Sequence, residues 1–245
     1  MTERAQDRPA FYALSSGGWR DYWTLLHPPY TLWHLSYVAI GAALAPSLHP
    51  AYLGLAMLAF FLGVGIAAHA LDELHGRPLR TRIPTRVLIG LAAAALVGAL
   101  AVGLYGCSVV SWWGLVFIAI GAFVVPAYNL EWFGGRFHTE WWFAGMWGGF
   151  PALAGYFAQT GRIDPIAFAG FIACAAVALA QRRLSTPVRM LRRRARSVQG
   201  EIVMTDGTVE RIDAASLRAA PEAALRVLWV GMVVLAAAMV AARWP

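Results

Sequence analysis

Acid, base and imidazole alternate densely at one place in the chain, His69-Ala-Leu-Asp72-Glu73-Leu-His75-Gly-Arg77-Pro-Leu-Arg80-Thr-Arg82. On a helix, His69, Asp72 and Glu73 fall at i, i+3 and i+4, and so lie on neighbouring faces. Pro78 is expected to end that helix, because it has no N–H to donate and its ring clashes with the preceding turn. Arg77, Arg80 and Arg82 are then left on a short loop beside the carboxylates. Oxygen ligands of this kind suit Mg²⁺, which takes one or two carboxylates and completes its shell with water and substrate phosphate. Guanidinium forks match phosphate oxygens directly. Asp72 and Glu73 are therefore the expected catalytic and metal-binding pair, with His69, Arg77, Arg80 and Arg82 contacting substrate. The structural alternative is a knot of ion pairs at a helix end, its arginines turned to lipid headgroups.

A second polar segment, Tyr128-Asn129-Leu-Glu131-Trp-Phe-Gly-Gly-Arg136-Phe-His138-Thr-Glu140, offers further contacts in Tyr128, Asn129 and Arg136. Polar groups within helices also join neighbouring spans, and that is the expected role of His34, inside the first apolar run. Gly134-Gly135 reads as a turn. Cys107 and Cys174 make no metal or redox spacing.

The elements that must position these residues are membrane helices. Of the residues, 59% are hydrophobic and only 13% charged, against about 25% charged in a soluble domain. That balance excludes a soluble enzyme and a disordered chain. All 20 basic residues are Arg, and they cluster between apolar runs, which points to membrane topology and away from nucleic acid. Seven stretches reach the length needed to cross a bilayer, at 30–48, 51–72, 86–106, 110–130, 139–159, 165–182 and 222–243. The polar opening MTERAQDRPA reads as no cleavable signal. With the N-terminus inside, only Arg162 and Arg243 fall outside, so the positive-inside rule gives a cytoplasmic N-terminus and an external C-terminus. Asp206-Gly207 between short β-prone runs predicts a cytosolic hairpin over 200–212. The expected fold is thus an all-α, polytopic transmembrane helical bundle of about seven spans with a small cytosolic β-hairpin insertion. Its parts are an N-terminal segment (1–29), a six-span core (30–182), an Arg-rich connection (183–221) and a last span (222–245). The expected location is a bacterial cell membrane.

Several of these segments resemble the UbiA-type superfamily of intramembrane prenyltransferases. The run HPPYTLWHLSYVAIGAALAP (27–46) is similar to the family's first helix, and Asp72-Glu73 followed by Gly76-Arg77-Pro78-Leu79 to its first aspartate-rich motif. Gly148-Gly149-Phe150-Pro151 through Tyr156 resembles its fifth helix, and Arg183-Leu-Ser-Thr-Pro187-Val-Arg189 the stretch after its second aspartate motif. The likeness covers roughly residues 20–195. It implies a polyprenyl diphosphate or other isoprenoid lipid as partner, held through Mg²⁺ and Arg at the cytosolic face, with transfer or cyclisation of the prenyl group. His69 stands where the family has Asn. Where the second motif is due, the chain has Ala180-Gln181-Arg182-Arg183, which implies that Arg182 and Arg183 meet the phosphate in place of a metal cluster. Family members usually have nine spans, and this chain has seven apolar runs.

Two other readings fit the residues. One is a metal-dependent oxidase with His69, Glu73, His75, His138 and Glu140 converging on iron. The other is a lipid-binding or scaffold protein without catalysis, its Arg-rich 182–196 stretch facing anionic lipid.

Overall fold

The computed structural model describes residues 8–245, and Arg4, counted above among the inner arginines, lies outside them. Apolar runs fold as helices here because hydrocarbon offers no partner to an unpaired N–H or C=O. The order is α1 (Trp19–Leu25), α2 (Pro28–Ala43), α3 (Pro50–Leu74), α4 (Thr85–Val109), α5 (Trp112–Asn129), α6 (residues 140–160), α7 (Pro165–Arg193), β1 (Gly200–Val203), β2 (Val209–Ile212) and α8 (Ala214–Ala241). Pro stands in the first turn of α2, α3 and α7, where its missing N–H costs nothing. Gly161, at φ 66°, ends α6, a left-handed position that suits glycine.

Five helices, α3, α4, α5, α7 and α8, are long and apolar enough to cross a membrane. The runs expected as spans at 30–48 and 139–159 fold as α2 and α6, which are helices of another kind. α2 has 16 residues, about 24 Å at 1.5 Å per residue, and most of it is buried. A helix enclosed by other helices needs no continuous apolar surface, and α2 and α6 accordingly bury Thr31, His34, Ser36 and Gln159. They also touch through backbone. A Cβ on Gly41 of α2 would sit 1.9 Å from the Ala152 carbonyl oxygen of α6, and one on Gly155 of α6 would sit 2.1 Å from that of Val38. Small residues at such crossings let the two helices approach this closely.

Two packed groups result. One gathers α3, α4 and α5 around Ala67, Leu88, Ala92 and Val124. The other gathers α2, α6, α7 and α8 around Trp33, Tyr37, Ala152 and Ala178. Arg192 of α7 pairs with Glu222 of α8, both nearly inaccessible to solvent, and donates to the Arg8 carbonyl at 3.1 Å. The stretch at Arg8 and Pro9 is therefore part of the packed structure. Arg193 Nε reaches the Pro9 carbonyl at 3.3 Å, and buried Asp21 accepts from the Gly17 and Arg82 amides, both at 2.9 Å.

The expected hairpin is present. β1 and β2 are antiparallel, Val203 pairs with Val209, and Gly207 takes φ 85° at the turn.

Gly41→Ala is expected to destabilise the protein by about 3 kcal/mol, since a backbone oxygen cannot yield as a side chain does. Gly54→Ala, with open space around its Cβ, should leave stability unchanged or slightly raised. Thermal unfolding of the two variants in detergent checks the contrast.

Candidate functional site

α3 and α6 each depart from regular α-helix near the same end of the bundle. Residues Phe61–Ala68 of α3 and Ala144–Gly149 of α6 are π-helical, a widening that recurs at functional sites. Each stretch offers a carbonyl to an imidazole. His69 Nδ1 lies 3.0 Å from the Gly65 oxygen, and His34 Nδ1 lies 2.9 Å from the Trp147 oxygen. His27 and His138 bond likewise to the Leu25 and Tyr128 carbonyls, at 2.8 and 3.1 Å. A carbonyl can only accept, so in each case Nδ1 carries the hydrogen and a neutral ring keeps Nε2 as a lone-pair acceptor. His27 stacks on His69 with centroids 4.1 Å apart. Burial, and then the neighbouring His69, hold the His27 imidazole well below its ordinary pKa, so it is neutral.

After α3 the chain turns sharply. Gly76, Arg77 and Arg80 all adopt positive φ, which costs a non-glycine residue about 1–2 kcal/mol. Glu73 holds this loop. It is fully buried, one carboxylate oxygen accepts from the Leu79 amide, and the other accepts from the Thr81 amide and hydroxyl, all at 2.8–2.9 Å. Arg77 is also tied down, to the Ile83 carbonyl and the Thr85 hydroxyl.

A cavity of about 830 Å³ lies between these ends. Of the residues expected to form the site, His69, Asp72, Arg77, Arg80, Tyr128, Asn129 and Arg182 line it. The other four do not. Glu73, expected as catalytic carboxylate and metal ligand, is instead the loop anchor just described, with no oxygen to spare. Arg183 points outward and makes a two-pronged pair with Glu140 at 3.2 Å. Arg82 is exposed and contributes its backbone amide to Asp21. Arg136 is exposed on the loop before α6. Glu73, Arg82, Arg136 and Arg183 thus stand apart from the cavity wall.

The cavity also uses residues that the sequence reading did not assign to it. Arg189, Arg193 and Thr186 join Arg182 along one stripe of α7, spaced 182, 186, 189 and 193 as one helical face requires. Arg182 lies over the Phe143 ring at 5.4 Å. Tyr128 and Gln181 are buried wall residues whose Oη and Oε1 have no hydrogen-bond partner among the described residues. Buried polar atoms are nearly always paired, so both are open to a ligand.

The wall offers no all-protein cage for a divalent ion. Asp72 and Glu131 are the only carboxylates in the wall, and among the described residues no three His, Cys, Asp or Glu side chains are placed to hold a metal ion. The five residues of the oxidase reading do not converge either, since Glu73 is enclosed in its loop and Glu140 is bound to Arg183.

A second cavity of about 280 Å³ runs among α3, α4, α5 and α6, with walls that are almost wholly apolar, among them Phe60, Gly121, Val124 and Phe150. Trp147 belongs to both cavities. No family model, curated protein or solved structure matches the chain.

Glu73→Ala would leave the buried Leu79 and Thr81 amides unpaired, at about 1–3 kcal/mol each. Trypsin is expected to cut this variant faster than wild type after Arg80 or Arg82. Asp72→Asn should be cut at the wild-type rate, and equal sensitivity in both variants would make Asp72 structural as well.

Proposed function

We propose that the chain is an integral membrane protein that binds an isoprenyl diphosphate and transfers or cyclises its prenyl group. One observation carries the reading: Trp147 borders both a polar, arginine-lined cavity and an apolar slot. A ligand that fills both must be an amphiphile with an anionic head and a single apolar tail. The resemblance of the 27–46, 72–79 and 148–156 segments to intramembrane prenyltransferases supports the same ligand class.

The junction suits the reacting carbon. Tyr128 and Trp147 have ring centroids 4.2 Å apart, and Phe143 stacks parallel to Trp147 at 6.1 Å. In the proposed step the bond from the allylic carbon to the diphosphate oxygen breaks, and its electron pair leaves with the diphosphate. Guanidinium charge at Arg182, Arg189 and Arg193 stabilises the departing anion. The aromatic faces stabilise the allylic cation. An acceptor nucleophile, or a double bond of the same chain, then supplies the electron pair that quenches it, and a proton is released. His34, which lines the cavity and bonds to Trp147 through Nδ1, has its Nε2 available to take that proton.

In this reading α2 and α6 also cross the bilayer. That makes seven spans, with the polar cavity at the cytoplasmic face, the N-terminus inside and the C-terminus outside, as the arginine distribution favours.

Two measurements test the reading. Gly121 lines the slot and has nothing within 4 Å of its Cβ position, so Gly121→Leu should fill the slot without disturbing backbone. Titration calorimetry is expected to show geranyl diphosphate binding weakened about tenfold or more, with inorganic pyrophosphate unaffected; equal affinities for wild type and variant would count against a tail in the slot. A topology reporter placed after Gly200 should read cytoplasmic and one at the C-terminus external. The reverse pair would put the cavity on the opposite face.

A further inference from the structure

The wall of the polar cavity carries six arginines, Arg77, Arg80, Arg182, Arg189, Arg193 and Arg194, against the two carboxylates Asp72 and Glu131. His27, His34, His69, His75 and His138 line it beside them; four of these rings, all but His75, hold their Nδ1 hydrogens on backbone carbonyls, and burial keeps His27 neutral. A phosphorylated ligand carrying roughly two to three negative charges is therefore matched by the protein's own cations. A divalent ion would add positive charge to a wall already in cationic excess, with one inner carboxylate to receive it. The other carboxylate of the acidic pair, Glu73, has both oxygens committed to Leu79 and Thr81. Asp72 is placed differently, on the cavity wall that Arg189 and Arg193 also line. Arg182 completes the stripe, and its guanidinium makes no hydrogen bond to protein among the described residues.

We infer that this cavity holds the phosphate head of its ligand on arginines alone, with no divalent cation between protein and ligand. Asp72 acts as an internal counter-ion. Its charge competes with bound phosphate for the field of Arg189 and Arg193 on the same wall. The inference rests on the proposed isoprenyl diphosphate ligand and concerns only how its head is held. It reverses the sign expected for Asp72. A carboxylate that bridges to phosphate through a metal strengthens binding, whereas one that competes for the same guanidiniums weakens it.

Calorimetric titration of the purified full chain with geranyl diphosphate, once in EDTA and once in millimolar Mg²⁺, tests this. The expected affinities agree within about twofold. In EDTA, Asp72→Asn should bind as tightly as wild type or several-fold more tightly, while Arg189→Gln should bind about tenfold more weakly. Arg189→Lys keeps the charge and should recover part of the loss, which separates a lost ligand contact from a misfolded helix. Inorganic pyrophosphate, run in parallel, should show the same indifference to Mg²⁺, tying the effect to the head and not the tail. A tenfold loss in EDTA together with weaker binding by Asp72→Asn would establish a metal bridge and overturn the inference while leaving the ligand class intact. Binding of pyrophosphate without any preference for the prenyl form would overturn the ligand class instead. No binding of either compound under either condition would remove both.

Discussion

Six guanidinium groups around one cavity repel one another, and much of the surrounding structure limits that repulsion. Two like charges about 6 Å apart repel by about 3 kcal/mol at an effective dielectric constant near 20, a large fraction of the net stability of a folded domain. Several of the arginines are therefore fixed by main-chain oxygens. Arg77 bonds to Ile83, Arg80 to the Arg193 carbonyl and Arg193 to Pro9. Arg192 lies outside the cavity wall and is neutralised by Glu222 in a buried pair. Asp72 supplies charge inside the cavity, and Glu131 supplies it beside His75 and His138. Keeping so much like charge together is reasonable for a site built to receive an anion, and wasteful for a mere membrane anchor.

The two π-helical stretches do related work on the opposite wall. Each widens its helix next to the cavity, and each directs a carbonyl to a histidine, at Gly65 and at Trp147. The imidazoles are thereby held in one tautomer. Because Trp147 also borders the apolar slot, the α6 stretch is a wall that the polar and apolar cavities share.

Helical geometry explains which parts of the site were legible in the sequence. Successive residues on an α-helix are turned by about 100°, so adjacent pairs cannot both face one cavity. Asp72 faces in and Glu73 turns to its loop; Arg182 faces in and Arg183 turns to Glu140. Residue types and spacing located both pairs, but only tertiary packing decides which member enters. The stripe of 182, 186, 189 and 193 was readable from its period alone. His27 and Tyr30 reach the cavity because the chain folds back at the start of α2, which no local pattern announces. The long apolar helices and the Asp206-Gly207 hairpin follow from composition and turn chemistry. α2 and α6 are less simple, since enclosure by their neighbours lets them carry polar residues that a lipid-facing helix would not.

The attachment of the N-terminal segment has a consequence for how the protein is made. Arg8 and Pro9 offer their carbonyls to Arg192 and Arg193, 184 positions later in the chain. At roughly 5–20 residues per second, a ribosome needs about 10–40 s to deliver those partners after the first residues have emerged. Throughout that interval Arg8 and Pro9 lack these two partners. Those two carbonyls can be engaged only once the end of α7 is in place, so this early stretch completes its packing late in biogenesis.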